Sequence, residues 1–324
     1  MVEPVLPAPA GPVLPAPAAP TDRRLLRGYL MVSAAAILFA VNGTVSKVIL
    51  VSGLSSPRLA QVRSTGAFVV LLLAIAVLRP RRLLRVTRRE LAFLAVFGVV
   101  GLASVQVFYF LAIHRLAIGI ALLIQYLAPL VVALWARFAM HEPVRRRIWG
   151  ALGFALAGLA LMVQVWRGIA LDGLGVTYAL IATVAFAVYL LLAERAVSRR
   201  DAVSVSCYGF LFATLFWAVV QPWWSFPRAV PGRDVSLLGH FAGLHAPVWA
   251  LMTWMVLLGT IVPFLLVVGA LRHVSATRVG IVAMLEPVAA TIVAYGWLAE
   301  SLSAVQIAGG LVVLAGILLA QSAR

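Results

Sequence analysis

Acidic side chains are scarce in this sequence: ten aspartates and glutamates stand against 26 lysines and arginines in 324 residues. Charged residues make up 11% of the chain and hydrophobic ones 64%. A soluble domain carries roughly 25% charged residues, so a water-soluble fold is excluded. Cysteine is nearly missing as well. Cys207 stands alone, which excludes an internal disulfide and any cysteine-based metal site. Among the five histidines, His240 and His245 share a loop but are not spaced as the one-turn pair of a helical zinc site. There is no Gly-rich phosphate loop and no G-x-S-x-G element. A membrane-embedded enzyme, which needs a nucleophile, an acid–base pair or a metal, therefore finds no support, and neither does an ATP-driven pump. No cofactor is called for. No basic segment precedes an apolar core at the N-terminus, so a cleavable signal peptide is not expected.

What the chain has in abundance is long apolar runs. Ten are long enough to cross about 30 Å of hydrocarbon as helices: 28–50, 56–78, 91–112, 117–138, 148–166, 175–193, 203–224, 248–271, 277–297 and 302–320. They are apolar all round, whereas strands of a membrane barrel would alternate. The expected fold is an all-α integral membrane protein in the cell membrane, preceded by a Pro/Ala-rich tail over residues 1–22. That tail repeats Pro4-Val5-Leu6-Pro7-Ala8-Pro9-Ala10 as Pro12-Val13-Leu14-Pro15-Ala16-Pro17-Ala18, a composition that favours extended, unpacked chain.

The apolar half occurs twice. At an offset of 158, Leu127, Pro129, Ala136, Glu142 and Leu156-Ala157-Gly158 fall on Leu285, Pro287, Ala294, Glu300 and Leu314-Ala315-Gly316. At an offset of 147, Gly28 matches Gly175 and Phe39-Ala40-Val41 matches Phe186-Ala187-Val188. The repeats run over 28–166 and 175–320. Five spans in each force the second repeat to enter the membrane inverted, an arrangement that builds a mid-membrane site two halves can open to either side. Such duplication has no obvious use in a receptor or scaffold.

The charges sort by side. With the N-terminus inside, 18 of the 26 basic residues fall on cytoplasmic segments and five outside, so both termini are expected in the cytoplasm. The loop 79–90 then lies inside and 226–247 outside. The charge faces anionic lipid at the cytoplasmic leaflet, and nucleic acid is not an expected partner.

Polar residues within spans must find a partner or line a wet cavity. Glu286 lies about 15 Å into the ninth span at 1.5 Å per residue, near the bilayer centre, where it would bind a proton or a substrate or be satisfied by a neighbouring helix. Pro129 and Pro287 match in the fourth and ninth spans and are expected to kink them as hinges, freeing the carbonyls of Gln125 and Ala283. Gln125, Asn42, Tyr109, Tyr126 and Tyr189 would complete a small amphipathic pocket with Glu286. Asn42 and Tyr189 are exchanged by the repeat, as are Lys47 and Glu194, which are expected to snorkel at opposite faces. Arg63, in the outer third of the second span, would hold a substrate carboxylate or close a gate. Glu142 and Glu300 would tie helix ends to the next span. Glycines 150, 153 and 158 and 309, 310 and 316 mark faces of close helix approach, to each other or to a second subunit; the oligomeric state stays open.

Phe39-Ala40-Val41-Asn42-Gly43, Arg63, Ala128-Pro129 through Glu142, Met284-Leu285-Glu286-Pro287 through Glu300 and the two Leu-Ala-Gly endings together resemble the EamA family of the drug/metabolite transporter superfamily, in its ten-helix form with two repeats. The resemblance covers residues 28–320. It implies a carrier of amino acids, related metabolites or drugs, commonly moving them outward by alternating access through a cavity lined by both repeats. Import or exchange of a sugar or other metabolite in the same fold is the alternative. The basic run Arg145-Arg146-Arg147 departs from the expected, less charged turn.

Overall fold

A computed structural model describes residues 22–78, 81–166 and 172–322. The tail, apart from its last residue, lies outside them. Among the described residues ten helices are long and apolar enough to span a membrane: Arg23–Val51, Ser56–Leu78, Arg88–Ile113, Ile118–Phe138, Arg146–Val163, Gly173–Val197, Ala202–Val220, Val248–Ala270, Ala276–Leu298 and Ala304–Ser322, here numbered spans 1 to 10. The protein is an all-α, multi-pass membrane protein of two five-helix repeats. Polar caps set several boundaries. Thr87 and Glu90 form a reciprocal capping box before span 3, and Asp172 and Asp201 accept from Gly175 N and Val203 N at the starts of spans 6 and 7.

Successive spans run in alternate directions, so both described ends lie on one side, called here the terminal face; the other is the far face. The repeats are interleaved. Span 5 packs on span 10 and span 2 on span 7, each pair being repeat mates. Span 1 packs on spans 8 and 9, and span 6 packs on spans 3 and 4. The sequence left open what the glycine faces of spans 5 and 10 touch; they touch each other. A Cβ at Gly158 would lie 2.6 Å from Gly309 O and Val313 N, and one at Gly316 2.8 Å from Ala151 O. Two arginines staple the span 2–span 7 pair at its two ends. Arg58, buried rather than free at the far face, donates to Gln221 O, Pro222 O and Gln61 Oε1 at 3.2, 3.0 and 2.8 Å. At the terminal face, Arg200 donates to Leu83 O, Arg85 O and Glu90 Oε1 at 3.1, 3.0 and 3.1 Å.

Both repeats depart from regular helix at matching places. Span 3 widens to a π segment at Phe97–Ala103 and span 8 at Leu257–Ile261. Hydroxyls reach back five residues in each, Ser104 Oγ to Val99 O and Thr260 Oγ1 to Met255 O, both at 2.9 Å. Such single-turn bulges cluster at functional sites. Spans 4 and 9 are interrupted: Ile118–Gln125 is followed by Ala128–Phe138, and Ala276–Ala283 by Leu285–Leu298. Each proline sits in the first turn of the second half, where its missing N–H costs nothing. The expected kinks are thus true breaks at mid-membrane.

Candidate functional site

The breaks bring the ends of four half-helices to the middle of the protein, with Tyr126 at the break of span 4 and Glu286 just past that of span 9. The Tyr126 hydroxyl is hydrogen-bonded to the Glu286 carboxylate, and Tyr109 from span 3 lies within electrostatic reach of both. Arg63 faces Glu286 from span 2. Its Nε donates to Thr260 Oγ1 at 3.2 Å, so the widened turn of span 8 orients the guanidinium. An ionised carboxylate or guanidinium in the bilayer centre costs several kcal/mol unless compensated. Here each group faces the opposite charge, with a phenol on the carboxylate and a hydroxyl on the guanidinium.

Asn42 is buried with Oδ1 unbonded, against Gly259, where a Cβ would overlap its carboxamide. Tyr189, its repeat mate, lies against Gly101, whose Cβ would come 3.2 Å from Tyr189 Cα. Gly101 and Gly259 are themselves repeat mates in the two π segments. The same contact is therefore made twice. The surroundings differ, however: Tyr189 is stacked on Phe97 at 5.4 Å and meets Phe264 edge-on at 6.1 Å, an aromatic cluster apart from the charge pair. Gln125 ends the first half of span 4 with its Oε1 buried and unbonded, while Thr183 of span 6 donates to Ile124 O at 2.8 Å and pins that end. The structure thus gathers Glu286, Tyr126, Tyr109 and Arg63, lines Asn42 up with the Thr260 turn, and sets Tyr189 aside.

Sequence reasoning missed Thr260 and the two π-turn glycines, Gly101 and Gly259. It also missed Thr65 and Gln106, whose side-chain oxygens are buried without a partner. Gln106 precedes Tyr109 by one turn and shares its face; that spacing was the available signal. Snorkelling left out the partner of exposed Lys47 and was the wrong account of Glu194. Lys47 Nζ pairs with Glu300 Oε1 at 2.9 Å, and Glu194 Oε1 accepts from Ala276 N at 3.2 Å. Glu300 therefore ties span 9 to span 1 rather than to the following span.

A sequence profile of the EamA-like transporter family matches residues 26–164 and 173–321, one match on each five-helix unit. The chain belongs to the EamA-like transporter family. As a family member it sits in the cell membrane and carries a small molecule across the bilayer. An uncharacterized transporter of Archaeoglobus fulgidus is 28% identical over 72% of this chain and 76% of its own. The threonine/homoserine exporter RhtA of Salmonella typhimurium is 27% identical over 73% of this chain and 72% of its own. One crystal structure superposes at a TM-score of 0.73 over 92% of this chain and 96% of the other, at 18% identity, a likeness of fold alone. Among the described residues no three histidine, cysteine, aspartate or glutamate side chains gather as a metal site.

In this EamA protein the two faces are not equally closed. The halves of spans 4 and 9 nearer the terminal face pack together, with Ala128, Pro129, Val132, Ala133 and Ala136 buried in one, and Ala276, Thr277, Val279, Gly280, Ile281 and Val282 in the other. In the halves nearer the far face, only Ala121 and Val288 are buried. Glu286, Arg63, Tyr109 and Gln125 all retain some exposure. Spans 4 and 9 are therefore closely packed on the terminal side of the central site and less buried on its far side.

Proposed function

We propose that the protein exports a small zwitterionic metabolite of the amino-acid class from the cytoplasm, with both termini cytoplasmic and the central charge pair as its binding site. The observation that carries this reading is the opposition of Glu286 and Arg63 at mid-membrane. An acid and a base in one site, with neutral hydrogen-bonding groups beside them, match the ammonium and carboxylate of one solute. A phosphorylated solute would need several aligned cations, and the site has one. The exporter named among the relatives, at 27% identity, supports the direction, and the excess of arginine on the terminal face supports the orientation. Pro129 and Pro287 serve as hinges in this reading, because each lacks the N–H that would tie its half-helix back across the break.

Protein in liposomes should take up radiolabelled amino acids by counterflow, with unlabelled amino acids competing and sugars or phosphorylated metabolites without effect. Sugar uptake that no amino acid inhibits would refute the substrate class. Orientation is checked separately. With Cys207 removed, Thr87→Cys should resist an impermeant thiol reagent in intact cells while Ser236→Cys reacts. Labelling at position 87 would invert the topology and the direction with it.

A further inference from the structure

The halves of an inverted repeat alternate by exchanging conformations, so any position where the repeats differ biases the exchange. Two such positions lie at the closure of the terminal face. Gly280 is one: its missing Cβ would lie 2.8 Å from Pro129 Cγ, so only glycine lets span 9 seat against the break of span 4. Its repeat mate is Leu122, and the mirror closure would press a leucine on Pro287. Glu194 is the other. Ser275, the residue before span 9, makes no capping bond of its own, and the Ala276 N–H is satisfied from span 6 by the Glu194 carboxylate at 3.2 Å. An anion is held at a helix N-terminus by the unpaired N–H groups and the helix dipole. The repeat mates are Lys47 and Ile118. A lysine accepts no hydrogen bond and is repelled by a helix N-terminus.

The backbone around these residues is closely matched, which isolates the effect of the side chains. His141 and Ala299 both take left-handed φ, 56° and 59°. They present Glu142 and Glu300 through equivalent bonds, Glu142 N to Ala136 O at 2.9 Å and Glu300 N to Ala294 O at 3.3 Å. At the far face Glu300 meets Lys47 and pairs with it. At the terminal face Glu142 lies near Glu194, and the two acids line a recess of about 340 Å³ with Arg145, His273 and Arg278. Burial and the neighbouring Arg27, Arg24 and Arg272 hold the His273 imidazole below its ordinary range, so it stays neutral near pH 7. Glu194 thus has its bond at the N-terminus of span 9, whereas Lys47 is engaged by Glu300 and makes no equivalent contact with that of span 4.

We infer that Glu194 and the Gly280 notch form a latch that holds the terminal face shut, so that the transporter rests open to the far face. The inference rests on the alternating-access part of the proposed function but not on its substrate, and it can be read without transport. In protein lacking Cys207, single reporters Val132→Cys and Ala290→Cys occupy mirror positions, the first 1% exposed and the second partly exposed. In detergent, where a thiol reagent reaches both faces, position 290 should react at least about tenfold faster than 132. Glu194→Lys with Gly280→Leu gives the terminal face the residues of the far face, and should raise labelling at 132 and lower it at 290 by about tenfold each. Should that variant fail to fold, Lys47→Glu with Leu122→Gly builds the latch at the far face instead and should slow labelling at 290. Rates within about twofold of the parent in the folded variants would overturn the latch, whether or not amino acids prove to be the cargo.

Discussion

Glu286→Gln should fold, insert and yet lose net transport by about 10- to 100-fold, the loss expected when a charge-assisted hydrogen bond to the solute, worth roughly 1.5–3 kcal/mol, is lost. The amide keeps the shape of the side chain and can still accept from Tyr126. What it removes is the charge that faces Arg63 and would hold the ammonium of a solute. Because the change also leaves Arg63 uncompensated in the bilayer, the companion variant Arg63→Gln/Glu286→Gln separates the two effects. Removing both charges should restore whatever thermal stability the single change costs without restoring transport. Counterflow into liposomes and melting in detergent are the two measurements, and the double-mutant cycle isolates the pair's coupling. Transport at the parental rate by Glu286→Gln would make this carboxylate a structural group and move the binding site elsewhere.

The second large effect is on folding. Gly158→Ala adds one carbon 2.6 Å from backbone atoms of span 10, where no side chain can swing aside. Forcing the helices apart should cost about 1–3 kcal/mol, with the upper end expected because the obstruction is main chain on both sides. Gly153→Ala is the control on the same helix. A Cβ there meets nothing within 4 Å, so the substitution should be neutral or stabilising by up to ~1 kcal/mol through helix propensity alone. Thermal unfolding of both variants in one detergent decides the matter. Equal melting temperatures would mean that spans 5 and 10 do not meet as described.

Much of this architecture was legible beforehand because the membrane simplifies the code. Ten apolar runs locate ten helices, and a duplicated Leu–Pro–Glu spacing pairs spans 4 and 9 before any contact is known. Glu286 stood out because an acid in a mid-membrane helix must be answered by something. Its partner Arg63 could be suspected, but Thr260 could not: a threonine satisfies its own hydroxyl on the helix backbone and so costs nothing to bury. The π turns were illegible for a related reason, since widening a helix by one residue leaves its apolar pattern almost unchanged. The partners of Lys47 and Glu194 were missed because snorkelling considers one span at a time. Which residue waits at the end of the neighbouring helix depends on interleaving that the repeat alone does not reveal.

That interleaving bears on how the chain is made. Span 1 finds its packing surface on spans 8 and 9, and spans 3 and 4 find theirs on span 6. As a nascent chain leaves the ribosome, the first five helices enter the bilayer before their partners have been synthesised, so they wait in lipid with Arg63 lacking both Thr260 and Glu286. Only when residues 276–298 emerge does the first span gain its full surroundings. The two repeats look like separable domains on paper, but neither can mature without the other, and a chain interrupted between them leaves the quality-control machinery two orphaned halves instead of one working subdomain.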